Sequence, residues 1–290
     1  MIDRLFDTFV CIDWSGQAVS HPKGIAVAYC QNGDAAPELV RPQDGWTRQG
    51  VLEWLVRHAQ AGTNMLVGLD LSPALPFTDC DAYFPGLNDS PRDARSLWAM
   101  VERECTGEPH LSASTFPLKH GLKDHFRNHS ETGSCFVGGL GRLRVVELRQ
   151  RLAGVNPVSC FNLVGAAQVG KSSLTGMRLL HRLGGQVPFW PFDHIPETGP
   201  VLVEIYTSIA ARAAGLPKGR SKIRDAVGLD LALLQLTSRP HRALAKYDDH
   251  STDALVTAAW LRTAAHRMEL WTPDGLEEVA QTEGWTFGAI

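Results

Sequence analysis

Along the first 75 residues, apolar positions gather into short unbroken runs separated by polar turns. TFVCIDW (8–14) is such a run, closed by an acid; GIAVAYCQ (24–31) follows a turn bearing Gly and Pro, and PELVRP (37–42) is a short third. Apolar runs of this length, bounded by turn residues, read as buried strands. In TRQGVLEWLVRHAQAG (47–62) the spacing changes: Val51, Leu52, Leu55, Val56 and Ala59 recur at helical intervals and Gly62 stops them. NMLVGLDLS (64–72) returns to the strand pattern and is closed by Pro73. The predicted order is β-β-β-α-β, an antiparallel start feeding a parallel strand.

From about 76 to 198 the pattern weakens. RDARSLWAMVEREC (92–105), LRVVELRQRLA (143–153) and SLTGMRLLHRL (173–183) read as helices among Pro, Gly and His; Trp, Phe and Leu persist throughout. This section is expected to be a long insertion forming a lid or second lobe. Regularity returns with a strand, GPVLVEIY (199–206), and a helix, TSIAARAAG (207–215). Two further helices follow, RDAVGLDLALLQLTS (224–238) and STDALVTAAWLRTAAHRM (251–268). The expected class is α/β: one domain over 1–290, with a core of 1–75 and 199–290 and an insertion of 76–198.

Composition adds boundaries. At 290 residues, 44% hydrophobic, the chain can bury a full core without disulfides or structural metals. A net charge of −3 gives no global attraction to nucleic acid or an anionic membrane, so either partner needs a local basic patch. The six cysteines form no C-x-x-C pair, and Cys11 and Cys30 lie inside strand-like runs, where a thiol packs as a small hydrophobe. A reducing, cytoplasmic setting is expected, with no signal peptide and no membrane span.

Chemistry enters through the acids. Asp13, Asp70 and Glu204 each stand at or near the carboxyl end of an apolar run. In an open α/β sheet those ends line the ligand crevice. KYDDHSTDALVTAAWLR (246–262) adds Asp249, His250 and Asp253 at the start of an apolar helix, spaced so that all three can share one face. Asp249 or Ser251 suits a helix cap. Asp253 suits one less well, because the apolar run DALVTAAW carries it toward the core. Asp230, in a second VGLDL, falls in a helical pattern and reads as a surface or capping residue.

This order, with an acid on the first strand, acids on two later strands and a D-A-L-x-x-A final helix, resembles the RNase H-like superfamily. HSTDAL (250–255) is similar to the ending of its RuvC-type resolvases. VCIDWSG, VLVEIY, the D-A-L helix and the tail EGWTF (283–287) resemble uncharacterised bacterial and archaeal families of predicted nucleases with this fold. The resemblance spans about 1–75 and 199–290. It implies an RNase H-like mixed sheet flanked by helices, and metal-assisted hydrolysis of nucleic-acid phosphodiesters. Two Mg²⁺ or Mn²⁺ ions would activate a water and stabilise the leaving oxygen. Asp13 would bridge the metals, Asp70 and Asp253 would each hold one, and Glu204, with His250 or Asp249, would complete the shell.

A rival motif lies in GAAQVGKSS (165–173), which matches G-x-x-x-x-G-K-[ST] at Gly165, Gly170, Lys171 and Ser172. A nucleotide hydrolase would use FNLVG as strand and SLTGMRLL as helix. No apolar run ending in Asp follows before VLVEIY, so the match reads as coincidental, although Lys171 could still touch a substrate phosphate. FPLKHGLKDHFRNH (116–129) carries Lys119, Lys123 and Arg127 beside Phe116 and Phe126, which suits a phosphate backbone and bases, or is a solvated loop. Arg142 and Arg144 could extend it, and His120, His125 and His129 could bind zinc. GRSKIRD (219–225) offers Arg220 and Lys222 to substrate from another basic loop. A third alternative is a non-catalytic binding module with an idle metal site. No G-x-S-x-G triad signature is present.

Overall fold

A computed structural model describes residues 4–129, 131–165, 168–217 and 222–290. The candidate Arg220 and two positions of the Gly165–Ser172 motif, Ala166 and Ala167, lie outside the described residues. The first apolar run is β1 (Thr8–Asp13). It pairs antiparallel with β2 (Ala26–Gln31), which pairs antiparallel with β3 (Glu38–Val40). After α1 (Arg48–Gln60), β4 (Met65–Asp70) returns parallel to β1. α1 begins where the Thr47 hydroxyl caps the Gly50 N–H at 2.8 Å.

The remaining elements are α2 (Ala94–Glu104), α3 (Val145–Leu152), α4 (Val169–Leu183), β5 (Phe189–Trp190) and β6 (Val201–Glu204). They are followed by α5 (Thr207–Ala213), α6 (Ala226–Gln235), α7 (Asp249–Ala264) and α8 (Leu276–Val279). The strands form one mixed six-stranded sheet in the order β3-β2-β1-β4-β6-β5. Helices cover both faces, so the molecule is α/β. No helix among the described residues is long and apolar enough to cross a membrane.

Alternation along the strands assigns each face its layer. Val10, Ile12, Val67, Leu69 and Leu202 pack in one cluster with Leu97 and Trp98 of α2 and Leu174 and Met177 of α4. Phe9, Cys11, Leu66 and Val203 pack in the other with Leu255, Ala258 and Leu261 of α7. α7 is apolar on nearly every side and is buried accordingly. Gly68 lets it lie close, because a Cβ there would sit 2.7 Å from Ile205 and 3.0 Å from Leu261.

Two expectations for 76–198 are corrected. Its helices α2 and α4 build the layer on one sheet face and share a cluster with β1 and β4, so they are not a separate lobe. It also supplies an edge strand, β5, parallel to β6. Two residues between Pro188 and Pro191 are too short to show any strand periodicity.

Candidate active site

Asp13 and Asp70 end β1 and β4 directly opposite each other in register. Their parity is that of Cys11, so both side chains leave the sheet on the α7 side. There α7 begins. Asp248 caps it, accepting the Ser251 N–H at 3.0 Å, so the cap is neither Asp249 nor Ser251. The first turn then presents His250, whose Nδ1 lies 2.8 Å from Asp13 Oδ2. Asp253 follows on the same face, with 17% of its side chain exposed.

The charge balance here is poor. Burial, opposed by the bond to His250, raises the Asp13 pKa. Burial, then repulsion from Asp13 and Asp253, pushes Asp70 well above the ordinary carboxylate range, against an N–H bond from Thr207. Burial also raises Asp253, opposed by Lys222. The Lys222 ammonium sits 2.8 Å from Asp253 and 3.6 Å from Asp249, and Asp249 also pairs with Arg224. The bond to Asp13 raises the His250 pKa, against partial burial. Among the described residues, the other oxygens of Asp13 and Asp253 receive no donor.

Glu204 does not join this group. It pairs in register with Leu69, one residue out of phase with Asp70, and so points to the opposite face. There the buried Arg144 grips it in a fork, at 2.6 and 2.8 Å, and the Thr286 hydroxyl donates to it at 2.8 Å. Arg144 also donates to Glu147 at 3.1 Å and to the Glu283 carbonyl at 2.9 Å. The Glu283 carboxylate accepts the backbone N–H groups of Phe77, Thr78 and Val145. The expected role of Glu204 as a free metal ligand is therefore corrected: both its oxygens are engaged in an ion-pair brace. The tail EGWTF acquires a task, since Glu283 and Thr286 belong to that brace.

A crevice of about 590 Å³ opens beside these groups, lined by Asp70, Ser72, Arg144, Glu204, Lys222 and His250 but not by Asp13 or Asp253, and closed on one side by the first turn of α4. Lys171 and Ser172 line it. Gly16 is required at this wall: a Cβ there would stand 2.3 Å from the Lys171 carbonyl carbon. FNLVG, however, is no strand of the sheet; Asn162 makes only an isolated bridge to Arg127. Gly170 is a packing residue, because a Cβ would lie 2.2 Å from the Cys160 oxygen. The nucleotide-hydrolase motif thus lacks its strand.

The basic strip is largely dismantled. Phe116 and Phe126 are buried in an aromatic cluster with Phe84 and Phe161 and cannot stack on bases. Arg142 is buried on Asp79, and Lys119 pairs with Glu104 at 2.9 Å. Lys123 and Arg127 are exposed but line no described cavity of the crevice. His125 is buried against Phe84, whereas His120 and His129 are exposed. Asp230 is partly buried and accepts the His241 N–H. All six cysteines are free.

Among the described residues, no group of three or more His, Cys, Asp or Glu side chains converges closely enough to hold a metal ion as placed. Comparison of the chain with protein-family models, curated proteins and solved structures finds no match.

Proposed function

We propose that this crevice is the active site of a divalent-cation-dependent nuclease or phosphodiesterase built on an RNase H-like sheet. One observation carries the reading: two strand-end carboxylates in register, Asp13 and Asp70, face the helix carboxylate Asp253 without enough positive charge to balance them. Uncompensated buried carboxylates are costly unless they serve a task. Carboxylate oxygens are the donors that Mg²⁺ and Mn²⁺ prefer, so the donor set fits by its chemistry. Lys222 is the obstacle, since its ammonium already engages Asp253 and Asp249. A doubly charged ion competes with it for Asp253, and the half-exposed Lys222 is free to swing away.

A bound ion would activate water and neutralise charge on the phosphodiester. The chain's own residues would do the rest. Asp13, Asp70 and Asp253 would hold the ion, Asp13 would orient His250 toward the crevice, and the Arg144 brace would keep β6 from shifting. Glu204 would act through that brace, since both its oxygens are held by Arg144 and Thr286.

The test is cleavage of end-labelled single- and double-stranded DNA and RNA with Mg²⁺ or Mn²⁺. Asp13→Asn, Asp70→Asn and Asp253→Asn should each lower the rate by more than the roughly 10–100-fold expected for a residue that merely supports a metal ligand. Full activity in any of the three ends the proposed mechanism. A folded wild type that neither binds divalent ions nor cleaves is instead a non-catalytic binding module.

A further inference from the structure

A second cavity adjoins the acidic crevice. It measures about 570 Å³, within the roughly 300–1,000 Å³ range of small-ligand pockets. The two share Gly16, Gln17, Gln168 and Lys171, so a narrow wall separates them and Lys171 lines both sides. The linings differ. The crevice carries Asp70, Glu147 and Glu204, whereas no carboxylate lines the second cavity among the described residues. Its walls are apolar at Val19, Pro117, Leu163 and Leu174, and besides Lys171 its polar positions are Asn128, Ser114, His129, Thr175 and the two glutamines.

Lys171 is distinguished by its lack of a partner. Arg144 is tied to Glu204 and Lys222 to Asp253. Among the described residues Lys171 makes no ion pair, which leaves an unneutralised ammonium between the two cavities.

The wall is also held rigidly. The buried Arg48 donates to the carbonyls of Ser15, Gln17 and His110, each at 2.8 Å. Trp14 Nε1 donates to Thr175 Oγ1 at 3.0 Å, tying the exit of β1 to α4. Arg178, fully buried, holds the Ser112 carbonyl beside Ala113 and Ser114 of the second cavity. Preorganised walls lower the cost of ordering a ligand.

We infer that the second cavity is a nucleobase subsite, which takes the base of a nucleotide whose phosphate lies against Lys171. The inference rests on the nuclease reading for the identity of the polymer. The apolar walls receive the faces of a planar ring, the Asn128 amide offers its NH₂ as donor to the ring edge while its oxygen accepts the His129 N–H at 2.8 Å, and the absence of carboxylates spares a phosphate repulsion. The acidic crevice then receives the adjoining phosphodiester.

The test uses single-stranded oligonucleotides in EDTA, where no cleavage occurs, with binding read by fluorescence anisotropy. One probe is an oligothymidine; its twin is abasic at every position. Wild type should bind the base-bearing strand about tenfold more tightly, the worth of one well-made polar contact with ring burial. Val19→Trp, at a half-exposed position that fills the cavity, should abolish that preference while leaving abasic binding unchanged; Asn128→Leu should reduce it. Lys171→Ala should weaken both probes, and Lys171→Arg should restore them. Circular dichroism confirms that each variant folds.

Equal binding of the two probes by wild type overturns the subsite, as does a preference that survives Val19→Trp in a folded variant, or no binding of either probe. These outcomes are separable from the nuclease reading. Equal binding of the two probes by wild type with Asp70-dependent cleavage intact sinks the subsite alone, and base-selective binding without cleavage sinks the nuclease alone.

Discussion

Two clusters of buried carboxylates lie on opposite faces of the same sheet end, and they are treated differently. On the α3 side, each oxygen of Glu204, Glu147 and Glu283 has a donor, with Arg144 at the centre. On the α7 side, Asp13, Asp70 and Asp253 repel one another, and among the described residues His250, Lys222 and the Thr207 N–H answer them. Saturated acceptors make a brace; unsatisfied acceptors make a site that stores unfavourable energy for a ligand to relieve. The contrast explains why acids of similar burial at neighbouring strand ends need not share a role.

The comparison can be broken from either side. The largest effect is expected at the brace. Arg144→Met should cost about 3–5 kcal/mol in urea unfolding, because it strands Glu204 and Glu147 in the interior. A loss below about 1 kcal/mol would show that the brace is not structural. On the other face the sign reverses: Asp70→Asn should stabilise the metal-free protein by about 1–2 kcal/mol while abolishing cleavage.

That gain should depend on pH. The folded-state pKa of Asp70 is raised, so the folded protein holds its proton more tightly than the unfolded chain does. Its favourable contribution is present below the ordinary carboxylate range and lost as pH rises through the raised value. The advantage of Asp70→Asn should therefore grow as pH rises through the raised value and shrink on acidification toward the ordinary carboxylate range, as read by unfolding at a series of pH values. An advantage that grows toward acid contradicts the assignment. The smallest effect is expected at Lys222. Lys222→Ala removes a competing cation, so Mn²⁺ affinity should rise severalfold by calorimetry; weaker binding would mark Lys222 as a support of the site.

The strands and long helices of the fold were legible in the sequence because their apolar periods are strong. β5 was not, since two residues carry no period, and neither was the packing of α2 and α4, since a helical pattern does not name the face it covers. Of the candidate residues, Asp13, Asp70, His250 and Asp253, which the fold brings together at one end of the sheet, were marked in the sequence by their places at strand ends and at the start of α7. Glu204 misled because an acid at a strand end looks the same whichever face it points to. Register decides the face, and register between β4 and β6 is set by pairing across some 130 residues of chain. Arg144 was read as part of a basic strip; the cue to its real partners was the tail EGWTF, whose Glu283 and Thr286 close the brace.

The central claim is that the α7-side acids are uncompensated in order to take up a divalent cation. Titration of Mn²⁺ into the metal-free protein, with wild type compared against Asp13→Asn/Asp70→Asn by calorimetry and thermal unfolding, tests it most directly. The account predicts saturable heat and a rising melting temperature in wild type, with both absent in the double variant. No binding by wild type, or equal binding by the double variant, would contradict it.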